Sequence, residues 1–352
     1  MRSRRQDSAA VLTVVMVVLL VGVVAALLAL ASRPGPDRTP SSAPVSASTP
    51  VAPPVSPSAM RTATEAPSKA PPKAPGPTKP AAHPAPPEQT CVSGGEQTQL
   101  TFLTFNIHSA RAPDDSVQLS TIGDELASWK ADVILLQEVD RGRLWSGQVD
   151  MPAVLADRLD MTWTFGANVR RSATNQYGTA ILSRYPITSS TNLPLPAPPG
   201  TQQRGLLRAV IDVGGTPMSV YVTHLENTSP TARIQQMNAI APVLRADPRP
   251  KMLGGDFNSV FTSPVMATAR TVVSDTWPAV GSGSGLTAPG GNPRVRIDYL
   301  LYGDGSGADV APLTAQVIPS QVSDHRALRA TYRLSTGGTE VCVPVLPEQT
   351  GS

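Results

Sequence analysis

The stretch LTFLTFN, residues 100–106, is a short run of apolar, β-branched and aromatic residues that ends in the amide of Asn106. Its length and composition are those of a buried β-strand. The same passage from apolar to polar residues recurs along the chain. It is found in VILLQE at 133–138, SVYVTH at 219–224, KMLGGDFN at 251–258 and IDYLL at 297–301, and DH at 324–325 precedes RALRATY at 326–332.

Helical patterns separate several of these runs. Residues 117–130 and 230–245 have helical apolar spacing, and Ser229 is placed to cap the second segment. Strands that alternate with helices and hairpins predict a layered α/β or α+β domain. One carboxylate at a strand end is usually a turn or cap residue. Because unpaired buried charges cost several kcal/mol, six such runs together predict polar side chains that converge around a metal or substrate.

Seven motifs in a fixed order give a more specific identification. They are TFNI at 104–107, LQEVD at 136–140, YGTAILSR at 177–184, THL at 223–225, GDFN at 255–258, RIDY at 296–299 and SDH at 323–325. Over residues 98–334 the chain resembles the endonuclease/exonuclease/phosphatase superfamily, which includes DNase I, abasic-site endonucleases, neutral sphingomyelinases and inositol polyphosphate 5-phosphatases. The resemblance implies a four-layer sandwich, with two mixed β-sheets packed face to face, helices outside, and the active site where strand ends meet.

The resemblance also implies a metal site. It assigns Glu138 as the main ligand of Mg²⁺ or Mn²⁺, assisted by Asn106, with Asp324 as a further carboxylate of the site. Oxygen ligands suit such a hard cation.

The remaining motif residues receive roles in phosphate-ester hydrolysis from the same resemblance. Asp256 is expected to orient or deprotonate the attacking water, and Asn258 to hold that water and a phosphate oxygen. Asp298 is expected to pair with His325 and fix its tautomer. His224 is expected to donate to the phosphate or leaving oxygen, although the sequence does not decide which histidine is acid and which is base.

Other polar residues keep two interpretations. Arg204, which opens a strand after Gln203, either grips a substrate phosphate or is a solvated strand-end arginine. Asp140 and Arg141 are open in the same way. Tyr177-Gly178 is interpreted as a turn that leads into a strand over residues 179–182.

The N-terminal ninety residues differ from the rest of the chain. Residues 9–31 contain no charge and are long enough to cross a bilayer as a helix. Arg2, Arg4 and Arg5 precede this segment, so we expect residues 1–8 in the cytoplasm and everything after Ser32 outside. A cleaved signal peptide, cut after ALA at 29–31, is the competing interpretation and also exports the domain. Residues 32–90, rich in Pro, Ala and Ser, predict a disordered linker.

The region after the linker, residues 91–352, is characterised by its net charge and its two cysteines. Residues 91–352 hold 20 Lys/Arg and 22 Asp/Glu, a net charge of −2, which gives no support for a strong polyanion-binding surface. Cys91 and Cys342 bracket the predicted domain at 91–342, before a tail at 343–352. In an exported chain they predict a disulfide that joins the domain ends; two unrelated free thiols are the alternative.

Together these features predict a membrane-anchored, extracytoplasmic, metal-dependent phosphoesterase, which we expect to be a monomer. Its substrate is a nucleic acid, a phospholipid head group or a lipid pyrophosphate. The alternative is a catalytically weak, wall-associated binding module that retains the fold. The intact polar motifs argue against it.

Overall fold

The computed structural model describes residues 89–93, 95–337 and 340–344, with side chains from 95 to 337. The predicted membrane helix at 9–31, the tail after 344 and nearly all of the predicted linker lie outside this range. Gln89 and Thr90, the last two residues of the predicted linker, belong to the first strand. In the described part of the chain, no helix combines the length and hydropathy that a bilayer crossing requires.

Fourteen strands and five α-helices make up the described residues. The strands are β1 Gln89–Ser93, β2 Gln97–Asn106, β3 Val133–Arg141, β4 Thr162–Arg170, β5 Gln176–Ser183, β6 Ile187–Pro194, β7 Gly205–Val213, β8 Thr216–His224, β9 Lys251–Asp256, β10 Ser274–Asp275, β11 Asp298–Gly303, β12 Ala308–Ile318, β13 Ala327–Thr336 and β14 Glu340–Pro344. The helices are α1 Leu119–Trp129, α2 Met151–Leu159, α3 Pro230–Ala246, α4 Pro264–Ala269 and α5 Thr276–Val280. Short 3₁₀ turns lie at His108–Ala110 and Leu144–Ser146.

Two six-stranded mixed sheets form the centre of the domain. The first has the strand order β12-β13-β2-β3-β5-β4, and the second has the order β10-β11-β9-β8-β7-β6. Each sheet contains one parallel pair, β2 with β3 and β8 with β9, and its other neighbours are antiparallel. The predicted four-layer sandwich is confirmed.

Three apolar clusters occupy the three interfaces between layers, and the two-residue period of a strand explains why the strands are apolar on both faces. In β2, Phe102 packs between the sheets, whereas Leu103 and Phe105 face α1. In β8, Val220 packs between the sheets, and Tyr221 faces α3. Both predicted helices are present, and the Ser229 hydroxyl accepts from the Ala232 amide as the predicted N-cap of α3.

The same period places the polar strand ends. Asn106 lies four residues after Phe102, and His224 lies four residues after Val220, so both extend the rows that face the opposite sheet. In the second sheet His224 and Asp298 are the register partners of Asp256 on its two sides. Strand pairing alone therefore brings three of the predicted site residues side by side.

One motif differs from its predicted conformation. Tyr177 and Gly178 lie inside β5 rather than in a turn before it. Glycine is required at position 178 because β4 passes so close that a side chain there would collide with the Gly166 carbonyl oxygen. Gly255 has a similar role beside the site. Its φ is 151°, and a side chain there would meet the Thr223 carbonyl oxygen of β8.

The two ends of the domain meet in a two-stranded ribbon. β1 and β14 pair antiparallel, and their register places Cys91 directly opposite Cys342. Direct partners in an antiparallel pair have Cα atoms about 4.5–5.5 Å apart, a separation within the range of a disulfide. The backbone is therefore compatible with the bridge, which stays a prediction.

Candidate active site

The first group of site residues comes from the parallel pair β2–β3. Asn106 Nδ2 donates to Glu138 Oε1 at 3.0 Å and lies 3.2 Å from Asp256 Oδ2 in the second sheet. The amide is fixed from behind, because its Oδ1 accepts from the His108 backbone N–H at 3.0 Å. Asn106 thus joins the two sheets at the point where their polar ends meet.

A β-bulge sets the direction of Glu138. The register of β3 against β5 shifts between Leu136 and Val139, and Glu138 has a φ of 56°. Such a conformation is strained for a residue with a side chain and is concentrated at functional sites. The bulge directs the Glu138 carboxylate toward a cleft of about 410 Å³ that Tyr177 and Arg143 also line.

Asp256 lies at the centre of the site and is almost fully buried. Its Oδ1 accepts from the Asn258 backbone N–H at 2.8 Å, while its Oδ2 lies 3.5 Å from His224 Nε2 and 3.7 Å from His325 Nε2. Burial, followed by the nearby Asp298 carboxylate, raises the pKa of Asp256 above its ordinary range, and His325 acts against this rise. A carboxylate with a raised pKa is a stronger base near neutral pH.

Asp298 and His325 form a buried hydrogen-bonded pair. Asp298 Oδ2 lies 2.9 Å from His325 Nδ1. The other oxygen, Asp298 Oδ1, has no hydrogen-bond partner among the described residues. Burial alone would lower the pKa of His325, but the adjacent Asp298 and Asp256 carboxylates outweigh it and raise the pKa. The pair therefore favours a protonated imidazole whose Nε2 is directed toward Asp256.

His224 has the opposite electrostatic character. Burial, together with the positive charges of Arg204 and His325, holds the pKa of His224 well below its usual value. Its Nε2 lies 3.2 Å from Asn258 Nδ2, and that amide also donates to the Leu225 carbonyl oxygen at 3.1 Å. An amide N–H directed at Nε2 makes this nitrogen the acceptor, so the imidazole proton is on Nδ1.

Arg204 is buried, and the interpretation as a solvated strand-end arginine is wrong. Only 3% of the residue is exposed, and its Nε lies 3.6 Å from Oε2 of the buried Glu226. This separation exceeds hydrogen-bond distance, and Arg204 Nε has no hydrogen-bond partner among the described residues. Arg204 lines a cleft of about 360 Å³ together with Glu138, Tyr177 and His224. The geometry therefore fits the substrate-phosphate interpretation.

Two groups of residues carry side chains that can ligate a divalent cation. Asp256, Asp298 and His325 hold ligand atoms within 4.8 Å of one another. Both ring nitrogens of His325 already face carboxylates, with Nδ1 at 2.9 Å from Asp298 Oδ2 and Nε2 at 3.7 Å from Asp256 Oδ2. Glu138 instead has a partly exposed carboxylate with a free oxygen beside the Asn106 amide. The Glu138–Asn106 pair is thus the better fit to Mg²⁺ or Mn²⁺.

Asp324 is an exposed carboxylate beside His108. Its side chain is 57% exposed, and its Oδ1 lies 3.7 Å from His108 Nδ1. Within residues 95–337, neither Asp324 nor Glu138 belongs to a close group of three carboxylate or histidine ligands. The role of Asp324 as a further metal-site carboxylate stays a prediction.

Sequence reasoning missed three supporting residues. Ser323 donates to the Asn106 carbonyl oxygen at 2.6 Å and accepts from the His325 amide, so it fixes β13 against β2. The Thr287 hydroxyl accepts from the Asp298 amide at 3.3 Å. Glu226 is the partner of Arg204. The position of Ser323 within SDH was an available signal, whereas Thr287 lies in the loop before β11 and belongs to none of the motifs.

Comparisons with known proteins bear on the family and the fold. A family model described as the Endonuclease/Exonuclease/phosphatase family matches residues 103–325. An endonuclease/exonuclease/phosphatase from Beutenbergia cavernae is 26% identical, covers 67% of this chain and 72% of its own, and has a TM-score of 0.52. A humanized Danio rerio TDP2 is 20% identical, covers 66% of this chain and 98% of its own, and has a TM-score of 0.53.

A curated relative matches a shorter stretch. Protein cwh43 of Schizosaccharomyces pombe is 33% identical over 161 residues, which make up 45% of this chain. The match spans only 16% of the length of cwh43.

Proposed function

The chain belongs to the Endonuclease/Exonuclease/phosphatase family, and we propose that it is a membrane-anchored, extracytoplasmic phosphoesterase that depends on a divalent metal ion. One observation supports this function above the others. The buried Asp298–His325 pair and the Asn106–Glu138 pair meet at Asp256, with separations of 3.7 Å from His325 Nε2 and 3.2 Å from Asn106 Nδ2. Groups for proton transfer and for cation binding thus lie within one site that opens on a cleft.

Glu138 would hold the cation through its free carboxylate oxygen, and Asn106 would assist by fixing that carboxylate through the 3.0 Å hydrogen bond from its Nδ2. When bound, a divalent ion supplies charge neutralisation at the phosphoryl oxygens. Arg204, whose guanidinium is buried in the adjoining cleft, would bind another phosphate oxygen. These three residues therefore bind and orient the phosphate group.

The remaining residues move protons. Asp256, with its raised pKa, would accept a proton from the attacking water, which the Asn258 amide helps to position. His325, held by Asp298, would present positive charge to the developing negative charge of the phosphoryl group. His224, neutral at physiological pH, would donate to the phosphate or to the leaving oxygen from the other tautomer, which carries the proton on Nε2, because Nδ1 is buried.

A panel of phosphate esters tests the proposal. The full chain is assayed with plasmid DNA, RNA, phospholipids and a polyprenyl pyrophosphate, in the presence of Mg²⁺ or Mn²⁺ and again after addition of EDTA. We expect hydrolysis of at least one class, its loss in EDTA, and its return when the metal is restored. Full activity after exhaustive chelation would contradict the metal dependence. Specific binding of a panel member by folded protein that hydrolyses none of them would favour the binding-module alternative.

A further inference from the structure

The mouth of the cleft beside Glu138 bears an exposed apolar tip. Leu144 is 77% exposed and Trp145 is 55% exposed, the highest values among the large hydrophobic residues of the described chain. Both belong to the 3₁₀ turn that follows β3. Trp145 also lines the cleft that contains Glu138. Such exposure is costly unless the surface has a partner.

A buried carboxylate holds this tip in place. Asp140 is fully buried, and it accepts from Trp145 Nε1 at 2.9 Å and from Arg143 Nη1 at 3.0 Å. The Arg143 guanidinium carbon lies 4.0 Å from the centre of the Trp145 ring. The tip is therefore a fixed cation–aromatic unit, which gives a role to the Asp140 that the sequence left open.

A second tip of the same chemistry follows β9. Val260 and Phe261 are both exposed and come directly after the site residue Asn258 and its neighbour. The Arg270 guanidinium carbon lies 4.1 Å from the centre of the Phe261 ring, and Arg270 Nη1 donates to the Phe261 carbonyl oxygen at 2.6 Å. Two of the loops that leave the catalytic strand ends thus present an aliphatic residue, an aromatic residue and an arginine.

One arginine beside the first tip suits an anionic surface. Arg111, Arg143 and Arg171 line the cleft that Trp145 borders, together with Asp115 and Glu138, but Arg111 is paired with Asp115 and Arg143 with the buried Asp140. Arg171 is exposed and has no carboxylate within 4.0 Å among the described residues. Aromatic side chains favour the interface between lipid and water, and arginine stems pack against apolar groups while their heads reach lipid phosphates.

A lipid surface fits these residues better than a nucleic acid. Leu144 and Val260 are aliphatic, so they gain from burial among lipid chains but offer a base no stacking face. We propose that the Leu144–Trp145 and Val260–Phe261 tips dock on an anionic lipid bilayer, so that the catalytic cleft opens into the head-group layer. The inference rests on the proposed function for the hydrolysis of a lipid phosphate, whereas docking is measurable without turnover.

Tryptophan fluorescence gives a direct test. The four tryptophans of the chain are Trp129, Trp145, Trp163 and Trp277, so the predicted anchor at 9–31 contributes no signal. The full chain is mixed with phosphatidylcholine vesicles containing roughly 30% phosphatidylglycerol, with or without brominated acyl chains. We expect brominated vesicles to quench the wild-type emission and Trp145→Phe to remove most of that quenching. Leu144→Ser and Arg171→Gln should weaken the quenching by brominated vesicles several-fold.

Matched substitutions serve as controls. Val154→Ser removes an exposed apolar side chain from the outer helix α2, and Arg245→Gln removes an exposed arginine at the end of α3. Neither should change the quenching, and thermal melting verifies that every variant is folded. Absence of quenching in the wild type, or equal losses in the control variants, would overturn the docking proposal. Quenching of Trp145 by a single-stranded oligonucleotide but not by vesicles would also overturn it.

Hydrolysis of the water-soluble ester bis(p-nitrophenyl) phosphate by the wild type separates the two proposals. Hydrolysis without vesicle quenching defeats docking and leaves the phosphoesterase function intact. Quenching without hydrolysis of this ester or of any ester in the substrate panel defeats the phosphoesterase function and leaves docking intact.

Discussion

Loss of the Asp298–His325 pair should lower turnover rather than substrate affinity. In His325→Ala the group between the Asp298 and Asp256 carboxylates is removed, at separations of 2.9 and 3.7 Å. Acid–base groups typically contribute about 10²-fold or more to kcat, which corresponds to about 2.7 kcal/mol in the barrier. Asp298→Asn converts a charge-assisted hydrogen bond into a neutral one of roughly half the strength. We therefore expect it to lose a large share of the same factor.

The double variant tests whether the two residues act as a unit. Because Asp298 acts through His325, the double variant should be little slower than His325→Ala alone. The assay is kcat and KM on the substrate identified by the panel, together with thermal melting of the same three variants. Asp247→Asn is the matched control, since it alters a buried, hydrogen-bonded carboxylate outside the site. Preserved turnover per folded molecule with a lowered Tm would show that the pair is structural and refute the catalytic assignment.

Three further predictions concern stability, pairing and topology. Burial acts to raise the pKa of Asp247, but hydrogen bonds from Ser219 and Tyr221 outweigh it and lower the pKa to about 2. Because this value lies below the pKa of the unfolded state, the ionised carboxylate stabilises the fold above about pH 4. The stabilisation is lost as the pH falls toward 2. Asp247→Asn should therefore lower the unfolding free energy by about 1–3 kcal/mol at pH 7, and by much less at pH 2, in urea titrations that take the exposed Asp309→Asn as control. Mass spectrometry of non-reduced peptides should find Cys91 joined to Cys342, and recovery of both as free thiols from exported protein would contradict the bridge. A tag after Ser352 should be cleaved by protease added to intact cells, whereas a protected tag would overturn the extracytoplasmic topology.

Much of the fold could be predicted because its signals are local. The apolar runs have strand length, and a strand buried on both faces is apolar at most positions, as at Leu100–Phe105, where only Thr101 and Thr104 are polar. Ser229 and Pro230 mark the start of α3 through cap chemistry that needs no tertiary context. The Tyr177-Gly178 prediction was wrong because the glycine is required by the close passage of β4 rather than by a turn. That tertiary contact is not specified by the local sequence.

The residues of the site could be predicted from the sequence, but their arrangement could not. A polar residue at the end of a buried strand is a local signal, so Asn106, His224 and Asp256 could be identified from the sequence alone. The bulge that directs Glu138 depends on the register of β3 against β5, and the burial of Arg204 depends on Glu226. Both are tertiary effects, as is the capture of Trp145 and Arg143 by Asp140, and none has a signature in residue spacing.

The division of the site into a cation-binding pair, Asn106–Glu138, and a charge-stabilising pair, Asp298–His325, is the central claim, and Mn²⁺ binding tests it most directly. Binding is measured by the electron paramagnetic resonance signal of free Mn²⁺ for the wild type, Glu138→Gln and His325→Ala. The account predicts that Glu138→Gln weakens Mn²⁺ affinity by at least about 10-fold. It predicts that His325→Ala keeps the affinity within about 3-fold while its kcat falls at least about 10²-fold. Loss of Mn²⁺ binding in His325→Ala, with affinity retained in Glu138→Gln, would place the metal in the buried Asp256–Asp298–His325 group and contradict the account.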